Sequence, residues 1–131
     1  IRRWLVTDAA AHAGARLQDL LDPTNTASDV WADTAYRSRK NEALLRGRML
    51  VSRIHRKKPA DRPMPVRTAK ANGRKSKVRA HIEHVFAEQK ARMGLFVRTI
   101  GIARATTKIG LANLVYNMRR LLWLERQAAP A

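Results

Sequence analysis

Hydrophobic residues along this chain follow two periods, and the places where the period changes mark out its elements. Ile1–Val6 alternates, with Trp4 and Val6 on one face and Ile1 and Leu5 on the other, which predicts a strand. Thr7 and Asp8 offer a helix cap, and Ala15–Leu21 reads as helix with Leu17, Leu20 and Leu21 apolar. Asp22-Pro23-Thr24-Asn25 then stops it with turn chemistry. Val30-Trp31-Ala32 is a short strand of the buried type, ending directly at Asp33. Arg39–Arg48 predicts a small helix around Ala43, Leu44 and Leu45, closed by Gly47, and Met49–His55 a second strand of the same kind. Strand, helix, strand, helix, strand is the rhythm of an α/β sheet covered by helices.

That rhythm breaks at Arg56–Lys75, which holds three prolines, one glycine and eight Lys/Arg against a single acid, Asp61. Such a stretch predicts an extended, mobile basic loop. An amphipathic helix follows through Ser76–Lys90, with Val78, Ile82, Val85 and Phe86 as the stripe that would hold it to a core. A glycine-bounded stretch around Gly94–Gly101 leads to a last helix from about Ala103 to Leu124. Its broad apolar face runs through Ile109, Ala112, Leu114, Val115, Met118, Leu121 and Leu122. Trp4, Trp31 and Trp123 read as core residues. The sequence shows no internal repeat and no heptad long enough for a coiled coil.

Charge changes the picture. With 27 Lys/Arg against 10 acids, the 131-residue chain carries a formal net charge of +17, which calls for a polyanionic partner. Arginine dominates and is spread over helices and a loop, so nucleic acid fits better than a membrane surface. No apolar run approaches the roughly 20 residues of a membrane span, and no signal peptide is visible. A hydrophobic content of 45% supports a single domain with a real core, which disfavours a ribosome-type basic protein. The absence of cysteine fits a reducing cytoplasm. The chain opens at Ile1 in strand-like sequence, which reads as the C-terminal piece of something longer.

The chemistry concentrates in Ser76–Lys90, S-K-V-R-A-H-I-E-H-V-F-A-E-Q-K. At about 100° per helical residue, Arg79, Glu83 and Lys90 share one stripe, so an acid is displayed between two cations. The bland reading is a solvated ion pair worth under about 1 kcal/mol. For Asp33 it is a turn former. Taken together, a carboxylate at a strand end and another on a later helix, in basic surroundings, match two-metal phosphoryl chemistry. Arg79 and Lys90 would meet phosphate oxygens, the first bidentately and the second as a point charge. Lys57, Lys58, Arg62 and Arg67 would contact DNA backbone, and Tyr36 could stack on a base or sugar. Of the four histidines, His81 and His84 stand three apart beside Glu83, but with no third ligand at helical spacing they read as packing or DNA contacts rather than zinc ligands.

With these residues in view, W-A-D-T-A-Y-R-S (Trp31–Ser38), S-R-I-H-R-K (Ser52–Lys57) and the Ser76–Lys90 helix resemble the C-terminal half of bacterial insertion-sequence DDE transposases of the insertion-sequence-five group. That family's acidic helix reads Y-x2-R-x3-E-x6-K. Arg79, Glu83 and Lys90 match its spacing, while Ser76 stands where the tyrosine belongs. Similarity continues in L-V-T-D-A near the start and G-L-A-N-L-V-Y-N-M-R-R-L near the end, and so covers nearly the whole chain. The resemblance implies an RNase H-like mixed sheet flanked by helices, with Asp33 as the second catalytic aspartate and Glu83 as the acidic-helix glutamate. Both would bind metal, a pair of Mg²⁺ or Mn²⁺ ions in the complete domain. The family's first catalytic aspartate lies on an earlier strand, before Ile1. Asp8 precedes Asp33 by too little to replace it and reads as a cap, so this stretch alone is expected to be inactive, as in a truncated copy. Another departure is Ala13, where the family often has an acid after the histidine at His12. The implied partners are double-stranded DNA, as transposon ends and target, and further copies of the protein in a transposition complex. The implied location is the cytoplasm of a bacterium, at the nucleoid. The competing reading is a non-catalytic basic DNA-binding module.

Overall fold

The computed structural model describes residues 1–8 and 10–128 of the chain. It divides into two compact units, one comprising Ile1–Asp8 with Glu83–Ala131 and the other Ala9–Ile82. The architecture is α/β with helix predominating, and the sheet found among the described residues has two parallel strands.

The Ala9–Ile82 unit is built on those strands, β1 (Asp29–Val30) and β2 (Val51–Ser52), with Asp29 opposite Val51 and Val30 opposite Ser52. Backbone bonds carry the pairing further than the strand bounds: Val51 N to Ser28 O, Arg53 N to Val30 O and His55 N to Ala32 O, at 2.8–3.0 Å. The V-W-A segment and the V-S-R-I-H part of M-L-V-S-R-I-H are therefore paired where the sequence places strands, whereas Met49 and Leu50 bond back to α2. Parallel strands need a crossover, and α2 (Arg39–Gly47) supplies it. Ser38 caps α2 by accepting from Asn41 N at 3.1 Å. Ahead of β1 lie a 3-10 turn at Ala13–Arg16 and α1 (Leu17–Leu20). The cap of that first turn is the His12 side chain, which accepts from Gly14 N; an imidazole nitrogen two residues ahead reaches the free N–H directly.

Leu17, Leu45 and Ile54 form the buried centre, with Leu21, Val30, Ala32, Tyr36 and Leu50 packed around it. Asn41, also buried, joins the layers by donating from Nδ2 to Gly14 O and Tyr36 O, both at 2.8 Å. Gly14 has no room for a side chain, since a Cβ there would lie 2.2 Å from Ala35 O. α2 ends at Gly47 as expected, but Gly47 keeps a helical conformation and does not take the left-handed position. The helix ends in a Schellman pattern, with Leu50 N bonded to Leu45 O and Met49 N to Arg46 O, and the left-handed position falls to Met49 at φ 56°.

The basic stretch also departs from expectation. Only its first ten residues are loop, because α3 runs from Val66 to Ala91 as one helix of 26 residues. All three prolines lie at or before Pro65, whose carbonyl accepts from Ala69 N, and beyond it Arg, Lys and Ala favour helix despite Gly73.

In the other unit, α4 (Ile102–Ala128) packs beside the end of α3 through a buried polar pair, Gln89 Nε2 donating to Asn113 Oδ1 at 2.9 Å. Gly94 and Gly101, at φ 58° and 89°, shape the connection between the helices. Ile1–Val6 forms no strand. Its first residue is held by Asn117, which donates to Ile1 O at 2.8 Å and accepts from the N-terminal amine, and the Trp4 ring lies against Gly110. A strand exists only through a partner's backbone, and here a side chain takes that place. The mixed sheet expected from sequence is thus a parallel pair among the described residues.

The apolar stripes predicted on the long helices are largely exposed: Val78, Ile82 and Phe86 on α3, and Leu114, Val115, Met118, Leu121 and Leu122 on α4. Ala112 is the buried apolar residue of α4. Trp4 and Trp123 stand 43% and 47% exposed rather than in a core, and Trp31 is half-buried under the Arg53 guanidinium. Periodicity shows which side of a helix is apolar, not whether anything covers it.

Two substitutions test this packing in urea denaturation. Gly14→Ala is expected to destabilise the chain by about 1–3 kcal/mol, because the opposing atom is backbone and cannot swing away. Met49→Gly is expected to stabilise it by about 1 kcal/mol, relieving a left-handed conformation at a side chain that is 89% exposed.

Candidate functional site

The parallel ladder brings two segment ends to one place. Asp33 follows Ala32, and Ala32 O holds His55 N at 3.0 Å, so Asp33 and His55 emerge side by side at the carboxyl ends of the paired strands. Open α/β sheets present ligands at that edge. Asp33 divides its two oxygens between roles. Oδ1 accepts from Ala35 N at 2.8 Å and caps the 3-10 turn Thr34–Tyr36, as a turn former would. Oδ2 faces Arg79 Nη2 at 3.9 Å, with Asp33 46% and Arg79 27% exposed. At that exposure and distance the pair contributes under about 1 kcal/mol, so its value is positional.

Arg79 is the third of three links along α3. Asn72 exchanges two bonds with the Arg56 backbone at 3.0 Å, and Lys75 Nζ donates to Ile54 O at 2.8 Å. Asn72, Lys75 and Arg79 are spaced three and four apart, hence on one helix face. α3 is therefore fastened to the strand ends by its polar face. Burial is the main force lowering the Lys75 pKa, helped by Arg37, Arg56 and Arg53 and opposed by Glu42.

Around the Asp33–Arg79 pair, Tyr36 packs against the cluster of Leu17, Leu45 and Ile54, and its hydroxyl pKa is raised by burial and by Asp33, with Arg79 opposing. His55 is pushed the other way by burial, then by Arg79 and Lys75, with Asp33 pulling back. Its Nε2 is buried without a hydrogen-bond partner among the described residues. Behind this layer Arg37 pairs with Glu42 at 3.3 Å and donates to Ile54 O, while Ser52 Oγ donates to Glu42 at 2.8 Å.

Among the residues singled out from sequence, Asp33, Tyr36 and Arg79 are thus brought together. Glu83 follows Arg79 by one turn on α3, exposed, and Lys90 stands exposed near the end of the same helix. Both belong with the other unit's share of that helix. Lys57, Lys58 and Arg62 are exposed on the loop, Arg67 is exposed in the first turn of α3, and His81 and His84 are exposed beside Glu83. Lys75 and the Arg37–Glu42 pair were not anticipated. For Lys75 the signal was present, four residues before Arg79 and so on its face. For Arg37 and Glu42 there was none, since only the fold joins them to Ser52.

A metal site can be judged by its donors. Asp33 and Glu83 are hard oxygen ligands of the kind Mg²⁺ and Mn²⁺ prefer. No group of three His, Asp or Glu side chains able to hold a metal ion occurs among the described residues. The donors fit in kind and fall short in number. No helix is long and apolar enough to cross a membrane among the described residues.

The sequence model of a protein family described as "Transposase DDE domain" matches residues 1–118. No curated protein and no solved structure matches the chain.

The His55 environment makes a testable statement about pH. Its folded pKa lies below the ordinary value of 6.5, so the fold favours the neutral ring. That contribution to stability is complete above the unfolded value and is lost as pH falls from about 6.5 through the folded value. Denaturation midpoints measured between about pH 7.5 and about pH 5 are expected to fall less for His55→Gln than for the wild type. Parallel curves would show that His55 does not titrate against the fold.

Proposed function

Since the chain belongs to the transposase DDE-domain family, with a role in DNA transposition, we propose that it carries two of the three carboxylates that cut transposon ends. In this reading Asp33 is the second catalytic aspartate and Glu83 the glutamate of the acidic helix. The R-x3-E-x6-K spacing of Arg79, Glu83 and Lys90 argues for the insertion-sequence-five group and for an RNase H-like domain of which this stretch is the later part. The observation that carries the reading is the fastening of α3. Asn72, Lys75 and Arg79 are all bound to the strand ends, and Glu83 continues their face by one more turn.

Family members generally use divalent metal ions. Asp33 and Glu83 would hold such ions, together with a further carboxylate that the described residues do not gather into a group with them. A metal pair bound there supplies activation of the attacking oxygen and stabilisation of the leaving one. This chain's own cations do the rest. Arg79 keeps the Asp33 charge compensated and holds α3 in register, and Lys90 offers a point charge to phosphate. Lys57, Lys58, Arg62 and Arg67, all exposed, would contact DNA backbone beyond the cut. The overall reaction is strand cleavage at transposon ends followed by transfer of the 3′-OH to target DNA.

The deciding experiment is single-turnover nicking of a transposon-end duplex by a transposase that contains this stretch and the first aspartate. Glu83→Gln is expected to abolish nicking and leave DNA binding nearly unchanged, since the amide keeps shape and loses the anionic ligand. Nicking at the parental rate would make Glu83 a surface ion-pair residue and overturn the mechanism drawn here, whereas a parental protein that binds the duplex without nicking it would favour a basic DNA-binding module. Separately, reversing the charge of Lys57, Lys58, Arg62 and Arg67 together is expected to weaken duplex binding and flatten its dependence on salt, each lost phosphate contact reducing the slope by about one. An unchanged slope would remove the loop from the DNA surface.

A further inference from the structure

A second concentration of chemistry lies in the other unit, between the end of α3 and the last turns of α4. A cleft of about 530 Å³ opens there, lined by Arg92, Arg119, Arg120, Arg126, Tyr116 and Trp123, with Glu88 on its wall. The size is within the usual range of ligand sites, about 300–1,000 Å³. Tyr116, Arg119, Arg120, Trp123 and Arg126 share one face of α4, recurring at three-, four- and seven-residue spacing. The walls are fixed by the buried Gln89–Asn113 bond and by the Arg119–Glu88 ion pair at 3.4 Å. Arg120 lies over the Trp123 ring at 4.0 Å, which keeps its guanidinium flat and leaves its N–H edge unobstructed by the ring.

Four arginines thus line one cleft with a single carboxylate, Glu88, which is paired with Arg119. Helix-end electrostatics would account for Arg92 and Arg126 in or near the last turns, but not for Arg119 and Arg120, which lie about two turns inside α4. Gathering like charges costs free energy unless an anion joins them. The geometry points to a phosphate-backbone site in this cleft, a second DNA contact separate from the Asp33 and Arg79 region. It rests on the DNA-transposition reading for the identity of the polyanion. A flat, fork-shaped donor held on an aromatic shelf suits the oxygens of a phosphodiester, and Tyr116 adds a hydroxyl at the same wall. Glu88 acts against the ligand, occupying Arg119 and repelling the anion.

Two changes of opposite sign test the site. Binding of the 131-residue chain to a duplex of about 25 base pairs is measured against salt in chelator, so that no cleavage contributes. Replacing Arg92, Arg120 and Arg126 by Gln is expected to lower affinity about tenfold or more at about 0.1 M salt and to reduce the salt slope by about two to three. The control removes three charges from α2, as Arg39→Gln, Lys40→Gln and Arg46→Gln, and should change both less. Glu88→Gln should raise affinity and steepen the slope by about one, a gain that loss of folding cannot imitate. Arg120→Lys should lose part of the affinity despite its conserved charge. If the cleft and α2 variants behave alike and Glu88→Gln has no effect, the cleft is not a DNA site, whatever the fate of Glu83. If the wild type binds no duplex, both this site and the DNA reading fail.

Discussion

Three backbone bonds, from Val51 N, Arg53 N and His55 N to the carbonyls of Ser28, Val30 and Ala32, hold two short segments parallel, and the residues of the Asp33 site take their places from that pairing. Asp33 and His55 are neighbours because the ladder ends between them. Ile54, fully buried, turns its side chain into the core while its carbonyl receives both Arg37 and Lys75. One residue therefore anchors the hydrophobic centre and the polar cluster together. Asn41 tightens the arrangement by tying the Gly14 and Tyr36 carbonyls to α2.

α3 shows how a helix can be positioned by the side that looks least suited to packing. Its apolar stripe, with Val78, Ile82 and Phe86, faces outward, whereas Asn72, Lys75 and Arg79 reach the strand ends. A backbone carbonyl at a strand end has a free lone pair, and long cationic side chains can reach it without bringing the helix close. Fastening of this kind fixes rotation about the helix axis. Glu83 follows Arg79 by one further turn of the same helix and is exposed.

The second unit uses arginine differently. There the cations do not fasten a helix to a strand end but crowd a cleft, with Trp123 as a shelf and Gln89–Asn113 as the buried pin. In the Asp33 region each of these cations meets an acceptor, Arg79 at Asp33 and Lys75 at Ile54 O, which Arg37 shares. Around the cleft four arginines stand with one acid among the lining residues, and it is paired with Arg119. Local charge balance is what separates a structural use of arginine from a ligand-binding one.

Sequence by itself determined the strand-forming segment 30–32, the later part of 49–55 from Val51 on, the α2 helix between them, and the stripe of Arg79, Glu83 and Lys90. Each of these depends on contacts within a few residues, or on a helical period that sequence spacing reports directly. The +17 charge and the motif spacing together pointed to DNA transposition, and the family match over residues 1–118 agrees. What sequence left undecided were facts about partners. Ile1–Val6 alternates like a strand, yet pairing is supplied by another segment, and Asn117 is what meets Ile1. The 56–75 stretch read as loop because its prolines were counted over the whole of it, when all of them precede the helix start. Apolar stripes on α3 and α4 were legible and their exposure was not, because burial is a property of what lies opposite. Only tertiary structure could join Arg79 to Asp33 across 46 positions of chain or gather Arg92 with Arg126, since a contact between distant residues leaves no local period to read.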